Sequence, residues 1–390
     1  MILSDRFLGY KRENGSIGVR NYVGVLACSA CAVPAARRIS EAVNGTALFT
    51  HNQGCCAADA DLEATRRTLV SLALNPNLHS VLFVALGCEG LPVEQIVEET
   101  CLAGKHAELI SVENCGGTSL AVAQGTFRAE EMVVEASRAE RCEASLSDLT
   151  IGIKCGDSDA ISGLGANRVV GHVVDSLVAK GCTCLVTEVT ELIGAEHVLA
   201  RRAVDAIVSR KIVDAVETME RRLAAHGVHP RSAGVSIADV SGGLTTIEEK
   251  SLGALTKTGT CPVSGVYPYG ERVTGKGLML IDGPGREPEA LTALAAGGAH
   301  VILFTTGHGS PQGFPFVPVL KITGNLRSYK RAKSHIDVSV CDVLDAWPNV
   351  DEAAAGIERE VIAVSSGKRT RAEVTGYYEC TDIYTTGLVF

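Results

Sequence analysis

Short apolar runs alternate with longer amphipathic segments along the first third of the chain. Runs of strand length lie at 22–28, 46–50, 80–86 and 107–112. Helical spacing of apolar and charged residues is found at 33–43, 61–74 and 92–103. Strands that alternate with helices of this size predict a parallel sheet covered on both faces. We therefore predict a Rossmann-like α/β domain over residues 1–145.

The same alternation resumes after a charged segment, 129–148, which we interpret as a helical connector. Further strand-like runs lie at 149–154, 183–188, 277–282, 300–305, 318–323 and 336–341. Helical spacing recurs at 166–180, 195–226 and 286–297, whereas 227–246 shows neither period. A loop of that length is usually functional or mobile. The predicted fold is α/β, with two doubly wound, mostly parallel-sheet domains, 1–145 and a larger 146–390, facing a shared cleft.

Composition narrows the class of protein. The 36 Lys and Arg residues against 45 Asp and Glu give a net charge of −9, which argues against nucleic acid as a partner. No apolar run approaches the roughly 20 residues of a membrane span, and the N-terminus has no apolar signal core. We therefore expect a cytoplasmic protein without a membrane partner. In that reducing compartment the 14 cysteines predict ligands, nucleophiles or packing residues rather than disulfides.

Thiols stand directly after several predicted strands, where ligands bind in open α/β sheets. Cys55, Cys88 and Cys155 each follow a strand and adjoin a glycine. Three thiolates around an open position would hold Fe²⁺ or an iron–sulfur cluster, and another divalent metal is an alternative. These three are the predicted metal ligands, with His51 and Glu191 as further candidates, and burial as small hydrophobes is the competing interpretation.

Most other cysteines lack such a setting and are predicted to be buried packing residues. They are Cys101, Cys115, Cys142, Cys182, Cys184, Cys261, Cys341 and Cys380.

Charged and hydroxyl side chains at the strand ends supply candidates for proton transfer and anion binding. Lys154 and His308 are predicted to act as the base or to orient a substrate carboxylate, and Glu89 and Asp157 are further catalytic candidates. Substrate contacts are expected from Arg20, Ser158, Asp159 and Thr306. A solvated surface charge is the alternative for each charged residue. Neither G-x-G-x-x-G nor G-x-x-x-x-G-K-[ST] occurs, so no nucleotide site is predicted.

Several longer motifs resemble one enzyme family. They are FLGYKRENGSIGVRNYVGVL, QGCC, LGCEGLP, IKCGDSDAISGLGANRVVG, VTEVTELIGAEHVLARRA, GGLTTIEEKSLGALTKTGT, DGPG and LFTTGHGSPQG. Together, from about Phe7 to about Asp345, they resemble the altronate/galactarate dehydratase family, which also contains the large subunit of sulfolactate sulfo-lyase. The resemblance implies a metal-dependent lyase, commonly iron-requiring, that removes water from a sugar acid to give a 2-keto-3-deoxy acid. On the GGLTTIEEKSLG run we predict Thr245, Thr246 and Lys250 as substrate contacts.

Two departures from the family pattern bear on the partner and the substrate. Single-chain dehydratases of the family carry a small extra domain before the segment that begins here at Gly9. The resemblance therefore implies a separate small subunit of the SAF type, besides a homo-oligomer and a small hydroxy-acid substrate. An Asn-Pro-x-Pro-Gly-Asn loop, frequent in the family, is replaced by residues 236–241. Three hypotheses stay open: a dehydratase, a sulfo-lyase subunit that eliminates sulfite, and a non-catalytic acid-binding subunit.

Overall fold

The computed structural model of the protein describes residues 5–233, 235, 237–344 and 350–388. The strands in chain order are β1 (Arg6–Lys11), β2 (Ile17–Gly18), β3 (Tyr22–Ala27), β4 (Thr46–Phe49), β5 (Leu78–Ala85), β6 (Ala107–Ser111), β7 (Arg141–Ser145), β8 (Thr150–Cys155), β9 (Thr183–Val186), β10 (Val263–Pro268), β11 (Gly277–Asp282), β12 (Val301–Thr305), β13 (Val319–Thr323) and β14 (Val338–Ser339).

The α-helices connect these strands, with short 3₁₀ turns between some of them. They are α1 (Val33–Ala42), α2 (Asp59–Ala73), α3 (Val93–Leu102), α4 (Thr118–Ala136), α5 (Ala166–Ala179), α6 (Glu196–Ala200), α7 (Ala206–Ala225), α8 (Pro230–Ala233), α9 (Ile237–Ser241), α10 (Ile247–Leu255), α11 (Glu287–Ala296), α12 (Leu326–Arg331), α13 (Val350–Ser365) and α14 (Arg371–Thr375). No helix in this described part of the chain is long and apolar enough to cross a membrane.

Two parallel sheets confirm the predicted α/β class. The first has the order β4-β3-β5-β6, and all of its neighbours are parallel. Helices cover both faces of this sheet, and its strand β3 is therefore a continuous apolar run in which Val23, Val25 and Leu26 are all buried. The boundary between the two halves at residue 145 stays a prediction.

The second parallel sheet has seven strands in the order β10-β11-β9-β8-β12-β13-β14. The chain moves from β8 to β9, β10 and β11 on one side and then returns to β12 on the other side of β8. This reversal is a topological switch point, where a crevice opens beyond the carboxyl ends of the strands. The loops after β8, β9 and β12 therefore meet at one end of the sheet.

Several local predictions are wrong. The segment 129–148 is not one helical connector, because α4 ends at Ala136 and β7 then pairs antiparallel with β1, with Phe7 opposite Ala144. The helix expected over 195–226 is broken, since Asp205 caps a new helix by accepting a hydrogen bond from the Val208 amide at 2.8 Å. The predicted loop 227–246 contains α8 and α9.

An apolar core joins the two parallel sheets. It contains Leu26 and Phe83 from the first sheet together with Ile281 and Phe304 from the second. Helices α2 and α11 contact each other across this interface. The two halves are therefore held together by side chains that are removed from water.

Candidate active site

A cavity of about 740 Å³ opens beyond the carboxyl ends of β8, β9 and β11. Its lining comes from residues 154–311, and the described residues of the first sheet contribute none. Its polar and ionisable lining residues include Lys154, Cys155, Asp157, Glu191, Asp239, Lys250, Glu287 and Ser310. The structure thus brings together five residues predicted for the site, namely Lys154, Cys155, Asp157, Glu191 and Lys250.

Four buried ionisable side chains, Lys154, Glu188, Glu191 and Lys257, form a group that is called the buried charge cluster, and two of them, Lys154 and Glu191, line this cavity. Lys154 Nζ lies 2.5 Å from Glu188 Oε1. Lys257 Nζ lies 2.7 Å from Glu188 Oε2 and 2.7 Å from Glu191 Oε2. Two ammonium groups therefore balance two carboxylates, which is the arrangement that buried charges require.

Glu188 occupies a backbone conformation that is rare for a residue with a side chain. Its φ and ψ are 72° and 54°, in the left-handed region. Such a conformation costs about 1–3 kcal/mol and persists only where surrounding contacts impose it. The Glu188 carboxylate supplies those contacts, because besides both lysines it accepts a hydrogen bond from the Cys155 amide at 3.0 Å. Strain at this strand end therefore serves to aim one carboxylate into the cluster.

The pKa values of the four groups are not all shifted in the same direction. Burial alone would lower the pKa of Lys154 and of Lys257, but the neighbouring glutamates outweigh it, so both pKa values are raised. Burial would raise the pKa of Glu188, but the two lysines outweigh it and the pKa is lowered. In Glu191 burial and the nearby Glu188 charge prevail over Lys257, and the pKa is raised. Glu191 is therefore the member best suited to accept a proton.

Lys154 does not fit the predicted role of a base. Its ammonium donates to Glu188 Oε1, to the Cys155 carbonyl at 2.5 Å and to the Gly285 carbonyl at 3.2 Å, which uses all three of its donors. With a raised pKa it also stays protonated. Lys154 is therefore a positioning residue for Glu188.

Cys155 is buried beside the cluster as a neutral thiol. Its Sγ lies 3.5 Å from Ser158 Oγ and accepts a hydrogen bond from Asn167 Nδ2 at 3.6 Å. Thr305 Oγ1 fixes that amide by donating to Asn167 Oδ1 at 2.5 Å. Burial and the Glu191 charge raise the pKa of Cys155, so the thiol form is favoured. Predicted residue Ser158 thus contacts the cysteine.

The remaining predicted residues near the cavity differ in their roles. Lys250 reaches the lining and pairs with Asp239 at 2.9 Å, and Asp157 is exposed at the cavity rim. Thr245 and Thr246 instead begin α10. Thr246 accepts a hydrogen bond from the Glu249 amide at 3.1 Å, and Thr245 donates to Glu249 Oε2 at 2.8 Å. Their hydroxyls cap a helix rather than face the cavity.

A neighbouring pocket and its loops contain three further predicted residues, His308, Asp159 and Thr306. His308 and Asp159 line a pocket of about 500 Å³ next to α12. The hydroxyl of Thr306 accepts hydrogen bonds from the Gly309 and Ser310 amides at 2.8 and 3.1 Å, so it shapes the turn that carries His308. Predicted site residues are therefore split between two neighbouring pockets.

Arg20 is committed to the scaffold, which corrects the prediction of a substrate contact. Its guanidinium makes a buried bidentate pair with Glu373 at 2.7 and 2.9 Å. The remaining donors reach the carbonyls of Val19, Val364 and Lys368. All five N–H groups of Arg20 are thereby used, and none remains for an anion in the cavity.

His51 and Glu89 serve the loops after β4 and β5. His51 Nε2 lies 2.9 Å from the Ala27 carbonyl, and Nδ1 accepts from the Gln53 amide at 3.1 Å. Burial lowers the pKa of His51 to about 4, so the ring is neutral and both nitrogens are engaged. Glu89 accepts hydrogen bonds from Ser29 at 2.9 Å and from the Gly87 amide at 2.8 Å. Both side chains therefore stabilise their own strand ends.

The predicted metal ligands are divided between the two sheets. Cys55 and Cys88 are exposed at the end of the first sheet, whereas Cys155 is buried in the second. The Gly90 amide donates to the Gly54 carbonyl at 3.0 Å, so the loops that carry Cys55 and Cys88 are adjacent. Among the described residues, no three His, Cys, Asp or Glu side chains are grouped so as to hold a metal ion. The residues present do not fit a preformed metal site.

Exposure also corrects the packing interpretation of the other cysteines. Of the eight cysteines predicted to be buried, only Cys182 and Cys184 are buried. Cys101 and Cys380 are exposed, and the other four are half-buried. Two residues of the buried charge cluster, Glu188 and Lys257, are absent from the predicted site. Glu188 was one of several carboxylates at strand ends, and Lys257 had no distinguishing signal beyond its place in the GGLTTIEEKSLGALTKTGT run.

Two protein-family models match the sequence of this chain. Residues 146–387 match the family model described as D-galactarate/altronate dehydratase, C-terminal. Residues 9–137 match the model described as D-galactarate dehydratase/altronate hydrolase, second domain.

Three curated relatives extend over nearly the whole chain. The (2R)-sulfolactate sulfo-lyase subunit beta of Chromohalobacter salexigens is 34% identical over 96% of this chain and 96% of its own. The altronate dehydratase of Bacillus subtilis is 31% identical over 96% of this chain and 76% of its own. The galactarate dehydratase (L-threo-forming) of Escherichia coli is 30% identical over 93% of this chain and 73% of its own.

Proposed function

The chain belongs to the D-galactarate/altronate dehydratase family of lyases, and we propose that it removes water from a sugar acid such as altronate or galactarate. A base removes the proton from the carbon next to the substrate carboxylate. The hydroxyl group on the following carbon takes up a proton and leaves as water. The resulting enol becomes a 2-keto-3-deoxy acid. The observation that carries the proposal is a proton-accepting carboxylate, Glu191, in one cavity with the ammonium of Lys250.

Glu191 is the proposed general base. Lys257 occupies its Oε2, and no described residue donates a hydrogen bond to Oε1, which leaves that oxygen for the substrate. A raised pKa makes a carboxylate a stronger base, and general-base catalysis typically contributes 10²–10⁴-fold to the rate. Lys257 positions Glu191, and Lys154 does the same for the Glu188 carboxylate that Lys257 shares.

Lys250 is the proposed partner of the substrate carboxylate. It is charged, since Glu191 and Asp239 outweigh the effect of burial and raise its pKa. Its pairing with Asp239 leaves two N–H donors for a ligand. A cation at the carboxylate favours removal of the adjacent proton, because negative charge moves onto the carboxylate oxygens as the enol forms.

The rest of the lining suits hydroxyl groups. Asp157, Asp239, Glu287 and Ser310 present oxygen acceptors around the cavity. Hydroxyl groups donate to such oxygens, and a sugar acid carries several of them. This supports a polyhydroxy acid over a small sulfonate as substrate.

Similarity to the sulfo-lyase subunit beta supports a second candidate, elimination of sulfite from 3-sulfolactate. That subunit is 34% identical to this chain over 96% of each. A relative described as a subunit also supports a separate small partner for this chain. In this reaction the same base would act while the bond from carbon to sulfur breaks.

Iron is a further proposal, based on the family resemblance and on the thiols at the end of the first sheet. Since the described side chains form no grouped ligand set, no step above passes through a metal. Iron and sulfide analysis after anaerobic purification tests this proposal. If the first sheet holds the iron, Cys55→Ser and Cys88→Ser lower its content and Cys155→Ser does not. Iron-free protein with full activity contradicts the proposal.

The experiment for the reaction is a substrate panel with a matched pair of variants. The chain, with and without a candidate small subunit and with and without iron, is incubated with aldonates, aldarates and 3-sulfolactate, and 2-oxo acids and sulfite are measured. We expect a 2-keto-3-deoxy acid from a sugar acid, and a loss of about 10²-fold or more in Glu191→Gln. The control Glu217→Gln, an exposed residue of α7, retains activity. Sulfite release alone favours the second candidate, and an inert chain indicates a binding subunit.

A further inference from the structure

The pocket beside the reaction cavity, lined by Arg327, Arg331, His308, Asn325 and Asp159, is called the arginine pocket. It has a volume of about 500 Å³. Asp159 belongs to the loop after β8 and His308 to the loop after β12, and both loops continue into the lining of the reaction cavity. The arginine pocket is therefore a separate concave surface next to the proposed catalytic groups.

The charge of this region is unusual for an acidic chain. Residues 326–336 contain four Lys or Arg residues and no Asp or Glu, although the whole protein has a net charge of −9. Arg327, Lys330, Arg331 and Lys333 are exposed. Within the part of the chain that the structure describes, none of the four is within 4.0 Å of a carboxylate. Their positive charge is thus left for a ligand to neutralise.

The carboxylate in the pocket does not compensate these arginines. Asp159 Oδ2 accepts a hydrogen bond from Asn325 at 2.7 Å, and Oδ1 accepts from Ser162 Oγ at 2.8 Å and from the Ile161 amide at 3.0 Å. Both oxygens are therefore used in fixing the loops. The pocket keeps two guanidinium groups at its edge, and no carboxylate of a described residue neutralises them.

A polar atom in the wall also lacks a partner. His308 Nδ1 is buried and makes no hydrogen bond to any described residue. Buried polar atoms are almost always paired, so an unpaired one beside a cavity indicates a bound group or water. Arg331 holds this turn from outside by donating to the His308 carbonyl at 2.9 Å.

We propose that the arginine pocket binds a small oxyanion that carries two negative charges. Guanidinium groups bind carboxylate and phosphate oxygens with paired hydrogen bonds, and two arginines match a dianion. His308 Nδ1 would contact the same ligand. Dicarboxylates and phosphate esters share this chemistry, and the site is independent of which leaving group the enzyme eliminates.

Binding without turnover tests the site. Calorimetric titration of the full chain at low salt uses inorganic phosphate and succinate as probes, with acetate as a monoanion. We expect one site for phosphate or succinate and weaker binding of acetate. Arg327→Gln and Arg331→Gln should each weaken binding about ten-fold or more, whereas Arg138→Gln, an exposed arginine of the first half, should change it less than two-fold. High salt should weaken binding further.

The results distinguish a phosphate ester from a dicarboxylate as the ligand, and both from the absence of a binding site. Binding of phosphate alone indicates a phosphate ester, and binding of succinate alone indicates a dicarboxylate. Absence of binding by both probes at low salt overturns the proposal, as does equal affinity in wild type and both arginine variants. Since both arginines are exposed, unchanged thermal unfolding of the variants shows that any loss of binding is local. Neither result depends on lyase activity.

Discussion

Replacing Lys257 by Met removes one charge from the buried charge cluster and preserves most of the side-chain volume. Lys257 is 3% exposed and donates to Glu188 and Glu191, both at 2.7 Å. The variant leaves two buried carboxylates with one ammonium group, Lys154. The structure therefore predicts a large loss of stability from this single substitution.

The magnitude follows from the two hydrogen bonds. Each bond to a charged group contributes about 1.5–3 kcal/mol, and removing one partner of a buried ion pair typically costs about 3–5 kcal/mol. Glu191 already has a raised pKa and can take up a proton, which limits the cost. We expect Lys257→Met to lower the free energy of unfolding by about 3 kcal/mol at neutral pH. A raised folded-state pKa stabilises most at low pH, so the deficit should shrink as the pH falls towards 5.

Urea unfolding followed by circular dichroism measures this loss, with Lys211→Met on the exposed side of α7 as the control. The control should change stability by less than about 0.5 kcal/mol. The double variant Lys257→Met/Glu191→Gln removes one charge of each sign and should recover at least half of the loss. A loss below about 1 kcal/mol in the single variant, or a further loss in the double variant, refutes the charge balance described here.

Two further predictions concern the scaffold. Arg20→Leu should lower the free energy of unfolding by about 3–5 kcal/mol without changing KM, because Arg20 is fully used by Glu373 and backbone carbonyls; unchanged stability with a raised KM would assign Arg20 to the substrate. Burial lowers the pKa of His300 to about 4, below its unfolded value of about 6.5, so stability should be lost as the pH falls between these values, by up to about 1.4 kcal/mol per pH unit. His300→Gln should reduce that slope in urea titrations, and an unchanged slope would contradict the assignment.

The class of fold could be read from the sequence because several of the buried parallel strands are apolar runs. Tyr22–Ala27 and Val301–Thr305 are such runs, and both are strands of the predicted sheets. Arg141–Ser145 could not be read in this way, since its polar residues become a strand only by pairing with Arg6–Lys11, more than a hundred residues away in sequence. Pairing between distant segments decides such strands, and local composition does not contain that information.

The candidate site was predictable to the extent that it follows strand ends. Lys154 and Glu191 stand beside buried strands or glycines, and the structure brings them to one cavity. The partnership of both with Lys257 depends on how α10 and its 3₁₀ extension pack onto the sheet, which no local pattern records. The prediction for Arg20 was wrong because the residue type alone does not distinguish an arginine in a buried ion pair from an arginine that binds substrate.

In the proposed reaction Glu191 removes the proton next to the substrate carboxylate, in the cavity beyond β8. The most direct measurement follows the reaction by NMR in D₂O, with the preferred sugar acid as substrate and with wild type, Glu191→Gln and Glu217→Gln compared. Wild type and Glu217→Gln should form a 2-keto-3-deoxy acid with deuterium at carbon 3, and Glu191→Gln should form it about 10²-fold more slowly or worse. Equal rates in all three proteins would contradict the account.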